Sequence, residues 1–380
     1  MRKILWISTL AGALVSASCS REEVPAASPA LAIGFSPVTE METKAYGMIT
    51  DSTFSVNGRS IGVFAYNTGH YKYDEVSTNP NFMYNEKVTC NINGTDTTWT
   101  YSPLKYWPNG EGDVTGNTGE RPEYLSFFAY APYSDPEAKV TDADKCITAF
   151  NLQEEPGNPW LLYQLAEDPA HQVDVLFATN QRNQIKPEIT GKVNLVFHHA
   201  LACIGEQVQV SCSVLMQDEV NAMVDGVIIK KAQLLLRRVY VTYHLTARAR
   251  LNLYSTGYIA RWEPLLNGEQ TTDRIVTYGP DNVLNPEILY STDSSEIPEG
   301  GVWLSPPNKG ILYIPYDRIA DPQTFTVTAE YLIRTFHDDS TYFDGPDQVR
   351  NSSTILLSSY PEAFAPSRRL SKLTINLTVN

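Results

Sequence analysis

A short GxSxG pattern is the first candidate for catalytic chemistry in this chain. Residues 58–62 read Gly-Arg-Ser-Ile-Gly, and the same pattern surrounds the nucleophilic serine of many hydrolases. That chemistry requires Ser60 on a sharp turn between a strand and a helix, so that its hydroxyl projects from the sheet. Here Asn57 and Gly58 indicate a turn, and the next residues, IGVFAYN, predict a strand. We therefore expect Ser60 to be non-catalytic and the protein not to be an enzyme.

The residues that could bind a metal ion lack the spacing of a metal site. The six histidines are His70, His171, His198, His199, His244 and His337. No pair has HExxH spacing, and adjacent residues of a strand such as His198 and His199 point to opposite faces. Four aspartates in HDDSTYFDGPDQ (337–348) offer oxygen ligands, but the EF-hand pattern is absent and a solvated loop is expected. The sequence predicts no metal and no cofactor.

The internal cysteines leave two interpretations open. In an exported chain, Cys90, Cys146, Cys203 and Cys212 could form two disulfides with three connectivities. They are sparse for 380 residues and lack CxxC spacing, and Cys203 lies in an apolar run where buried thiols are common. We favour the absence of a disulfide framework, although the sequence does not decide the pairing.

The N-terminus indicates export. Residues 1–18 begin with Arg2 and Lys3, continue with an apolar run too short to span a bilayer, and end in small residues before Cys19. This resembles a bacterial lipobox, with Ser16 where an aliphatic residue is usual, and predicts a signal peptide followed by acylation of Cys19. The alternative is an ordinary secreted protein. Residues 19–30 are acidic, small and Pro-containing, as in a flexible tether.

The net charge excludes some classes of partner. The formal charge is −14 at pH 7, and loss of the two leader cations makes it −16. Nucleic acids require clustered Lys and Arg, so we expect no nucleic-acid partner. An acidic surface also disfavours electrostatic docking on anionic lipid, so membrane attachment should be covalent.

The remaining elements predict an all-β protein. Tyr and Thr are frequent, turn residues recur, and strand candidates follow every 10 to 15 residues. These candidates are 31–35, 61–66, 98–101, 124–130, 173–178, 193–204, 237–246, 249–253, 311–314, 324–332, 353–357 and 372–379. A short helix is predicted at 215–223. A polar, turn-rich stretch at 181–191 suggests two β-sandwich domains, 31–190 and 191–380.

The last residues show a clear period of two. Leu373, Ile375, Leu377 and Val379 alternate with polar residues up to Asn380. This pattern fits the final core strand of the second domain. The alternative, which the periodicity alone favours less, is a donor strand that adds to the open sheet edge of a neighbouring subunit, where backbone hydrogen bonds would provide affinity.

Several segments together resemble the fimbrillin family, the Mfa-like group of type V pilus components. The most specific are LKYWPNG (104–110) with LSFFAYAPY (125–133), supported by TKAYG (43–47), SIGVFAYN (60–67), VDVLFATN (173–180) and VNLVFHHALACI (193–204). Looser matches are LYIPYD (312–317) and TFTVTAEYLI (324–333). The resemblance covers most of residues 31–380 and is strongest over 43–204.

The resemblance implies an outer-membrane lipoprotein with two tandem transthyretin-like β-sandwich domains. In such pilins a protease cuts after a basic residue that follows the first strand, and a neighbouring subunit's strand fills the vacated groove. The matching bond here is Lys44–Ala45, where stalk pilins more usually have Arg, and the strand removed would be Leu31–Val38. An Arg-specific protease would not cut there, so another enzyme would act or no cleavage would occur.

The function implied is that of a structural or accessory subunit of a fimbrium that supports adhesion at the cell surface. Its partners would be other fimbrial subunits, with a host or bacterial surface glycan or protein as a further partner. Stalk, anchor and tip roles stay open. The amphipathic last strand favours a stalk subunit, whereas the absence of Arg at the cleavage position favours an anchor or accessory subunit, and we favour a stalk or tip-like structural subunit. The alternative is a non-polymerising surface lipoprotein that binds glycans through aromatics such as Trp107, Trp160, Trp262 and Trp303.

Overall fold

The computed structural model describes most of the chain between residues 30 and 377. The described residues are 30–39, 49–108, 122–135, 137, 146–212, 223–224, 227–228, 231–265, 271–278, 287–291, 302–304, 310–315, 323–336, 350–351, 354–356 and 370–377. Within them the protein is all-β, as predicted, with one four-residue helix, α1 (Asp51–Phe54), and a 3₁₀ turn at Pro169–His171.

Twenty-four strands are assigned within these residues. The first ten are β1 (Gly34–Thr39), β2 (Ser60–Gly69), β3 (Met83–Asn93), β4 (Asp96–Thr100), β5 (Tyr124–Ala131), β6 (Ile147–Phe150), β7 (Trp160–Gln164), β8 (Leu176–Ala178), β9 (Gln181–Gln184) and β10 (Lys192–His199). The others are β11 (Ala202–Cys212), β12 (Met223–Val224), β13 (Val227–Ile228), β14 (Lys231–Thr246), β15 (Arg248–Asn252), β16 (Arg261–Glu263), β17 (Thr271–Tyr278), β18 (Glu287–Ser291), β19 (Val302–Leu304), β20 (Ile311–Tyr313), β21 (Thr324–Phe336), β22 (Arg350–Asn351), β23 (Thr354–Leu356) and β24 (Leu370–Leu377).

A curled sheet of eight strands contains the N-terminal part of the fold. Its strand order is β1-β10-β8-β5-β2-β3-β4, and β9 pairs with β5. The pair β1–β10 is parallel, whereas the other pairs of this sheet are antiparallel. Although β1 and β4 stand at opposite ends of this order, they lie beside each other across a cleft. The sheet therefore curls round until its two edges approach, as in a partly open barrel.

The central strands of this sheet are buried on both faces. In β2, Ile61, Val63 and Ala65 pack into the core inside the curl, as the alternation predicts. Phe64 and Tyr66 point the other way, into a second core that extends through the C-terminal half. Burial on both faces explains why β2 and β5 are nearly continuous apolar runs.

The C-terminal half is built from smaller sheets around the second core. One has the order β16-β15-β7-β6, another β17-β14-β21-β22 with β18 and β23 attached, and a third β19-β11-β20 with β24 attached. The long strands β14 and β21 pair from Lys231↔Phe336 to His244↔Thr324. Tyr163, Tyr243 and Tyr313 fill the core between these sheets at 1% exposure or less.

One predicted strand is wrong. Residues 193–204 form two strands in different sheets, because the chain turns at Ala200 and Leu201 from β10 into β11. The corner is held by the Ala200 N–H, which donates to the Val175 carbonyl at 2.9 Å. The Trp262 Nε1–H donates to the Ala200 carbonyl at 2.8 Å. Tertiary partners stabilise this turn, and no Gly or Pro marks it.

Strand pairing crosses residue 190 in both directions. β10 follows that residue but belongs to the N-terminal sheet. β6 and β7 precede it but share a sheet with the C-terminal strands β15 and β16, in which β7 pairs with β15. The division into 31–190 and 191–380 therefore stays a prediction about folding units. Of the helix predicted at 215–223, residues 215–222 lie outside the described residues and Met223 begins β12.

Candidate functional site

The candidate site is the groove that holds the first strand. β1 is the edge strand of the curled sheet, and its residues Gly34–Thr39 pair in parallel with Lys192–Phe197 of β10. Its other edge faces the cleft toward β4. A strand with one paired edge can leave or be replaced without breaking the ladders inside the sheet.

The side chains of the first strand alternate between the core and the surface. Ile33 and Phe35 are 1% and 4% exposed, and Pro37 is also buried, whereas Val38 is 46% exposed. The Phe35 ring lies 5.6 Å from the Tyr101 ring and 6.0 Å from the Phe127 ring, centroid to centroid. The strand thus inserts a row of apolar side chains into the core inside the curl.

The entry of the strand into the sheet is fixed by backbone hydrogen bonds. The Ile33 N–H donates to the Lys105 carbonyl, and the Trp107 N–H donates to the Leu31 carbonyl, each at 2.9 Å. The Tyr101 hydroxyl donates to the Ile33 carbonyl at 2.9 Å. Burial raises the pKa of Tyr101, and the Lys105 N–H opposes this shift, so the hydroxyl stays a donor at neutral pH. The segment 101–107, part of the LKYWPNG match, therefore forms one wall of the groove.

Gly191 lies in the opposite wall of the groove. Its carbonyl accepts hydrogen bonds from the Gly34 N–H at 2.9 Å and from the Trp107 Nε1–H at 3.2 Å. A Cβ atom on Gly191 would lie 2.1 Å from the Ala32 carbonyl oxygen and 3.2 Å from Leu31 Cγ. The first strand can approach this closely only because residue 191 has no side chain.

Two clefts flank the first strand on the side facing β4. One has a volume of about 400 Å³ and lies beside Ala32–Gly34, and the other has about 430 Å³ and lies beside Gly34–Pro37. Trp99 and Lys192 line both clefts. The edges of β1 and β4 are thus separated by open space instead of a hydrogen-bonded ladder.

The candidate cleavage residues Lys44 and Ala45 lie outside the described residues, but the chain is anchored soon after them. The Ile49 N–H donates to Asp174 Oδ2 at 2.9 Å. Asp174 is 3% exposed, and the same oxygen lies 2.8 Å from His199 Nδ1. Charged and backbone groups from three segments therefore hold residue 49 in the fold.

The candidate donor strand forms β24. It pairs in parallel with β11, with Leu373 opposite Val208, Ile375 opposite Val210 and Leu377 opposite Cys212. Val379 and the lipidation candidate Cys19 lie outside the described residues. β10 and β11 follow each other in the chain. β1 lies parallel to β10, and β24 lies parallel to β11.

The residues considered for catalysis have other contacts. Ser60 begins β2, and its hydroxyl shares a 2.9 Å hydrogen bond with the Thr89 hydroxyl, so it is not on a strand–helix elbow. His198 Nε2 lies 3.1 Å from the Thr179 hydroxyl, whereas His199 contacts Asp174. Within the described ranges, no group of three or more His, Cys, Asp or Glu residues is arranged to hold a metal ion.

Two of the tryptophans and three of the cysteines in the described part of the chain are buried. Trp107 and Trp262 are 3% and 9% exposed, and Trp160 stacks with the Arg250 guanidinium at 4.2 Å. Buried indoles cannot serve as platforms for a sugar ring, so of the four tryptophans named for glycan binding Trp107 and Trp262 are unsuited to it. Cys90, Cys146 and Cys203 are buried. Among the described residues, no helix has both the length and the apolarity to cross a membrane.

Sequence reasoning missed Gly191, Asp174 and His199. Gly191 ends a polar stretch that indicated a linker. Its role in admitting the first strand is evident only from the close approach of the Ala32 carbonyl. Asp174 and Ile49 are 125 residues apart, so no local pattern could pair them. The Asp in VDVLFATN was visible only as part of a family-like segment.

Comparisons with known proteins agree with this architecture. Residues 43–223 match the family described as Fimbrillin-like. Fimbrium subunit Fim1C of Phocaeicola vulgatus is 28% identical over 199 residues, which is 50% of this chain and 47% of that protein. The match therefore spans about half the length of this relative.

A solved structure shows the same fold. The fimbrial protein from Bacteroides vulgatus ATCC 8482 superposes with a TM-score of 0.57, at 18% identity, over 92% of this chain and 94% of its own. The fold is thus that of an all-β fimbrial protein. Residues 43–223 of the chain belong to the fimbrillin-like family.

Proposed function

We propose that this protein is a fimbrial subunit at the cell surface that supports adhesion and joins its neighbours by strand exchange. A protease cuts between Lys44 and Ala45, the strand Leu31–Val38 leaves, and the last strand of a neighbouring subunit takes its place. The observation that carries the proposal is that β1 is an edge strand, parallel to β10, with its apolar side chains buried in the core.

Removal of the first strand creates a strong demand for a replacement. Full burial of a large apolar side chain contributes about 1.5–3 kcal/mol, so loss of Ile33 and Phe35 alone costs about 3–6 kcal/mol. The edge of β10 would also lose its ladder partner, and the carbonyls of Gly191 and Lys105 would each lose one hydrogen bond. An incoming strand restores this apolar burial and these hydrogen bonds only if it is extended and alternates apolar with small or polar residues.

The C-terminal strand meets this requirement. Leu31–Pro37 and Leu373–Val379 each have apolar residues at four alternate positions. β24 already forms a parallel ladder, with β11, which is the same orientation that β1 adopts on β10. A donated β24 would therefore repeat the pairing geometry of the strand it replaces.

The residues after the cut support retention of the rest of the fold. Ile49 follows Ala45 by four residues and is 8% exposed, and Asp174 binds its N–H. Cleavage would therefore free the upstream strand while the downstream chain stays attached. Since Cys19 is upstream of the cut, the same event would separate the subunit from an acyl anchor in the outer membrane.

The wider organisation follows from this assembly. We infer that the two halves correspond to tandem transthyretin-like sandwiches, the first with the acceptor groove and the second with the donor strand. Other fimbrial subunits, of this chain or related chains, are the partners. The clefts beside β1 leave room for an incoming strand to enter next to β4 before the first strand has fully left.

A peptide-capture experiment tests the proposal. A site for a specific protease is placed at residues 40–48, the protein is cut, and a labelled peptide of residues 370–380 is added while the first strand dissociates. We expect stable binding by the cut protein and none by the uncut protein. A peptide with Ser at positions 373, 375, 377 and 379 is the matched control and should not bind.

Two outcomes would contradict the proposal. Equal binding of the native and Ser-substituted peptides would show that the alternating apolar residues do not select the strand. Retention of the first strand after complete cleavage, under conditions in which fimbriae form, would show that the groove does not open. A second measurement is deletion of 373–380, which should block polymerisation and leave a monomer that still captures the peptide.

A further inference from the structure

A shallow pocket at the start of β2 differs in charge from the rest of the protein. It has a volume of about 420 Å³ and is lined by Val56, Arg59, Ser60, Lys87, Pro132 and Tyr133, with Gly58 at its base. This volume lies within the range of small-ligand pockets. No Asp or Glu lines the pocket, although the chain has a formal charge of −14. The pocket is therefore a local concentration of positive charge on an acidic protein.

The two cations of this pocket make no direct ion pair with a described residue. In the part of the chain that the structure describes, the ion pairs involve other residues, and neither Arg59 nor Lys87 takes part in one. Arg59 Nε is buried and has no hydrogen-bond partner among the residues that the structure describes. Burial lowers the pKa of Arg59, and the negative charge of Asp174 partly offsets this. A partly desolvated guanidinium without a bound carboxylate is favourable for an incoming anion.

The remaining groups of the pocket suit a sugar. Lys87 Nζ lies 5.3 Å from the centroid of the Tyr133 ring, so the ammonium and the aromatic ring form one surface. Val56 and Pro132 add apolar contact area next to the Ser60 hydroxyl. An inorganic anion such as phosphate would use the cations but not the ring and the apolar walls. A sugar has C–H groups that pack on a ring and hydroxyls that bond to polar atoms.

We propose that this pocket binds a carboxylate-bearing sugar, with the carboxylate at Arg59 and Lys87 and the sugar ring against Tyr133 and Pro132. The site lies apart from the first-strand groove and does not depend on strand exchange. It would give a fimbrial subunit a direct contact with acidic surface glycans.

Two acidic residues near the pocket, Asp135 and Glu86, should oppose the binding of an anion. Burial raises the pKa of Tyr133, and the charges of Asp135 and Glu86 add to this effect, so both carboxylates lie close to the ring. Neither lines the pocket. Their repulsion should weaken binding of an anion, and removal of the exposed Asp135 charge should strengthen it.

Calorimetric titration with 3′-sialyllactose, with lactose as the neutral counterpart, tests this proposal on the full-length mature chain. We expect saturable binding of sialyllactose, weaker at high salt, and no binding of lactose. Arg59→Gln and Lys87→Gln should each lower the affinity at least tenfold, and Asp135→Asn should raise it severalfold. Lys72→Gln removes an equal charge at an exposed position outside the pocket and should have no effect.

Several results would overturn the proposal. These are the absence of saturable binding, equal binding of lactose, and affinities in Arg59→Gln and Lys87→Gln that match the Lys72→Gln control. Binding of a peptide with a free C-terminal carboxylate in place of the sugar would assign the pocket to protein recognition instead. Lys87 is exposed, so Lys87→Gln should fold normally. If Arg59→Gln does not fold, the affinity of Lys87→Gln alone tests the proposal.

Discussion

The substitution Gly191→Ala is predicted to displace the first strand from its groove. The new Cβ atom would lie 2.1 Å from the Ala32 carbonyl oxygen, and this neighbour is backbone that cannot rotate away. The strand must therefore shift by about 1 Å or more, because carbon and oxygen atoms in contact are separated by more than 3 Å. Such a shift breaks or lengthens the hydrogen bonds that the Gly191 carbonyl accepts from Gly34 and Trp107.

The magnitude follows from these contacts. The two hydrogen bonds at about 1 kcal/mol each, with an overpacking cost of about 1–3 kcal/mol, give a loss of about 3–5 kcal/mol. Two further glycines provide matched controls. In Gly34→Ala the new Cβ would lie 3.3 Å from Lys192 Cγ and 4.0 Å from Lys192 Cα, so this variant should cost less than about 1 kcal/mol. Gly257→Ala has no neighbour within 4 Å and should be nearly neutral.

Two measurements distinguish these variants. Denaturant titration gives the free energy of unfolding, and hydrogen exchange of residues 31–39 shows whether the first strand is specifically released. We expect Gly191→Ala to lose protection in this strand before other strands do. If its unfolding free energy and its exchange in residues 31–39 equal those of Gly257→Ala, the groove does not depend on the close approach at Gly191.

Other predictions follow from buried polar groups. Asp174→Ala should destabilise the fold by about 3–5 kcal/mol in denaturant titration, since it removes the buried carboxylate that contacts both the partly buried His199 ring and the Ile49 N–H. Asp168→Ala, at an exposed pair, should cost about 1 kcal/mol or less. Burial raises the pKa of the Cys90 thiol above its ordinary 9.0, so alkylation at pH 8 should be far slower in the native than in the unfolded protein, and equal rates would contradict the burial. Burial also raises the pKa of Tyr66 and Tyr130 above the ordinary 10.0, so the folded state keeps protons that the unfolded state releases. Stability should therefore be unaffected by these phenols below pH 9 and should fall above pH 10, by about 1.4 kcal/mol per pH unit for each. Absorbance of tyrosinate should reveal them only on unfolding.

The sequence predicts those parts of the fold that depend on local patterns. The alternation at Ile61–Tyr66 correctly predicts which side chains of β2 share a face. The two faces are buried in two different cores. The apolar run at 193–204 predicts one strand, yet the chain changes sheet at Ala200, where the partners are Val175 and Trp262. A corner held by distant residues has no local signature.

The candidate site shows the same limit. Apolar alternation predicts a strand near residues 31–35, but its parallel pairing with β10 joins segments about 160 residues apart in the chain. Neither the role of Gly191 nor the bond between Ile49 and Asp174 follows from composition or spacing. The cleavage and lipidation residues were chosen from short motifs, and the positions Lys44, Ala45 and Cys19 stay predictions that need chemical evidence.

The most direct test of strand exchange is the N-terminus of the protein inside fimbriae. Intact mass and N-terminal sequencing would be measured on purified fimbriae and, separately, on the outer-membrane fraction. The proposal predicts a chain that starts at Ala45 in the fimbriae, and an acylated Cys19 start confined to precursor in the membrane. Fimbriae built from chains that still carry Leu31–Val38 would contradict it, because the groove would then be filled by its own first strand.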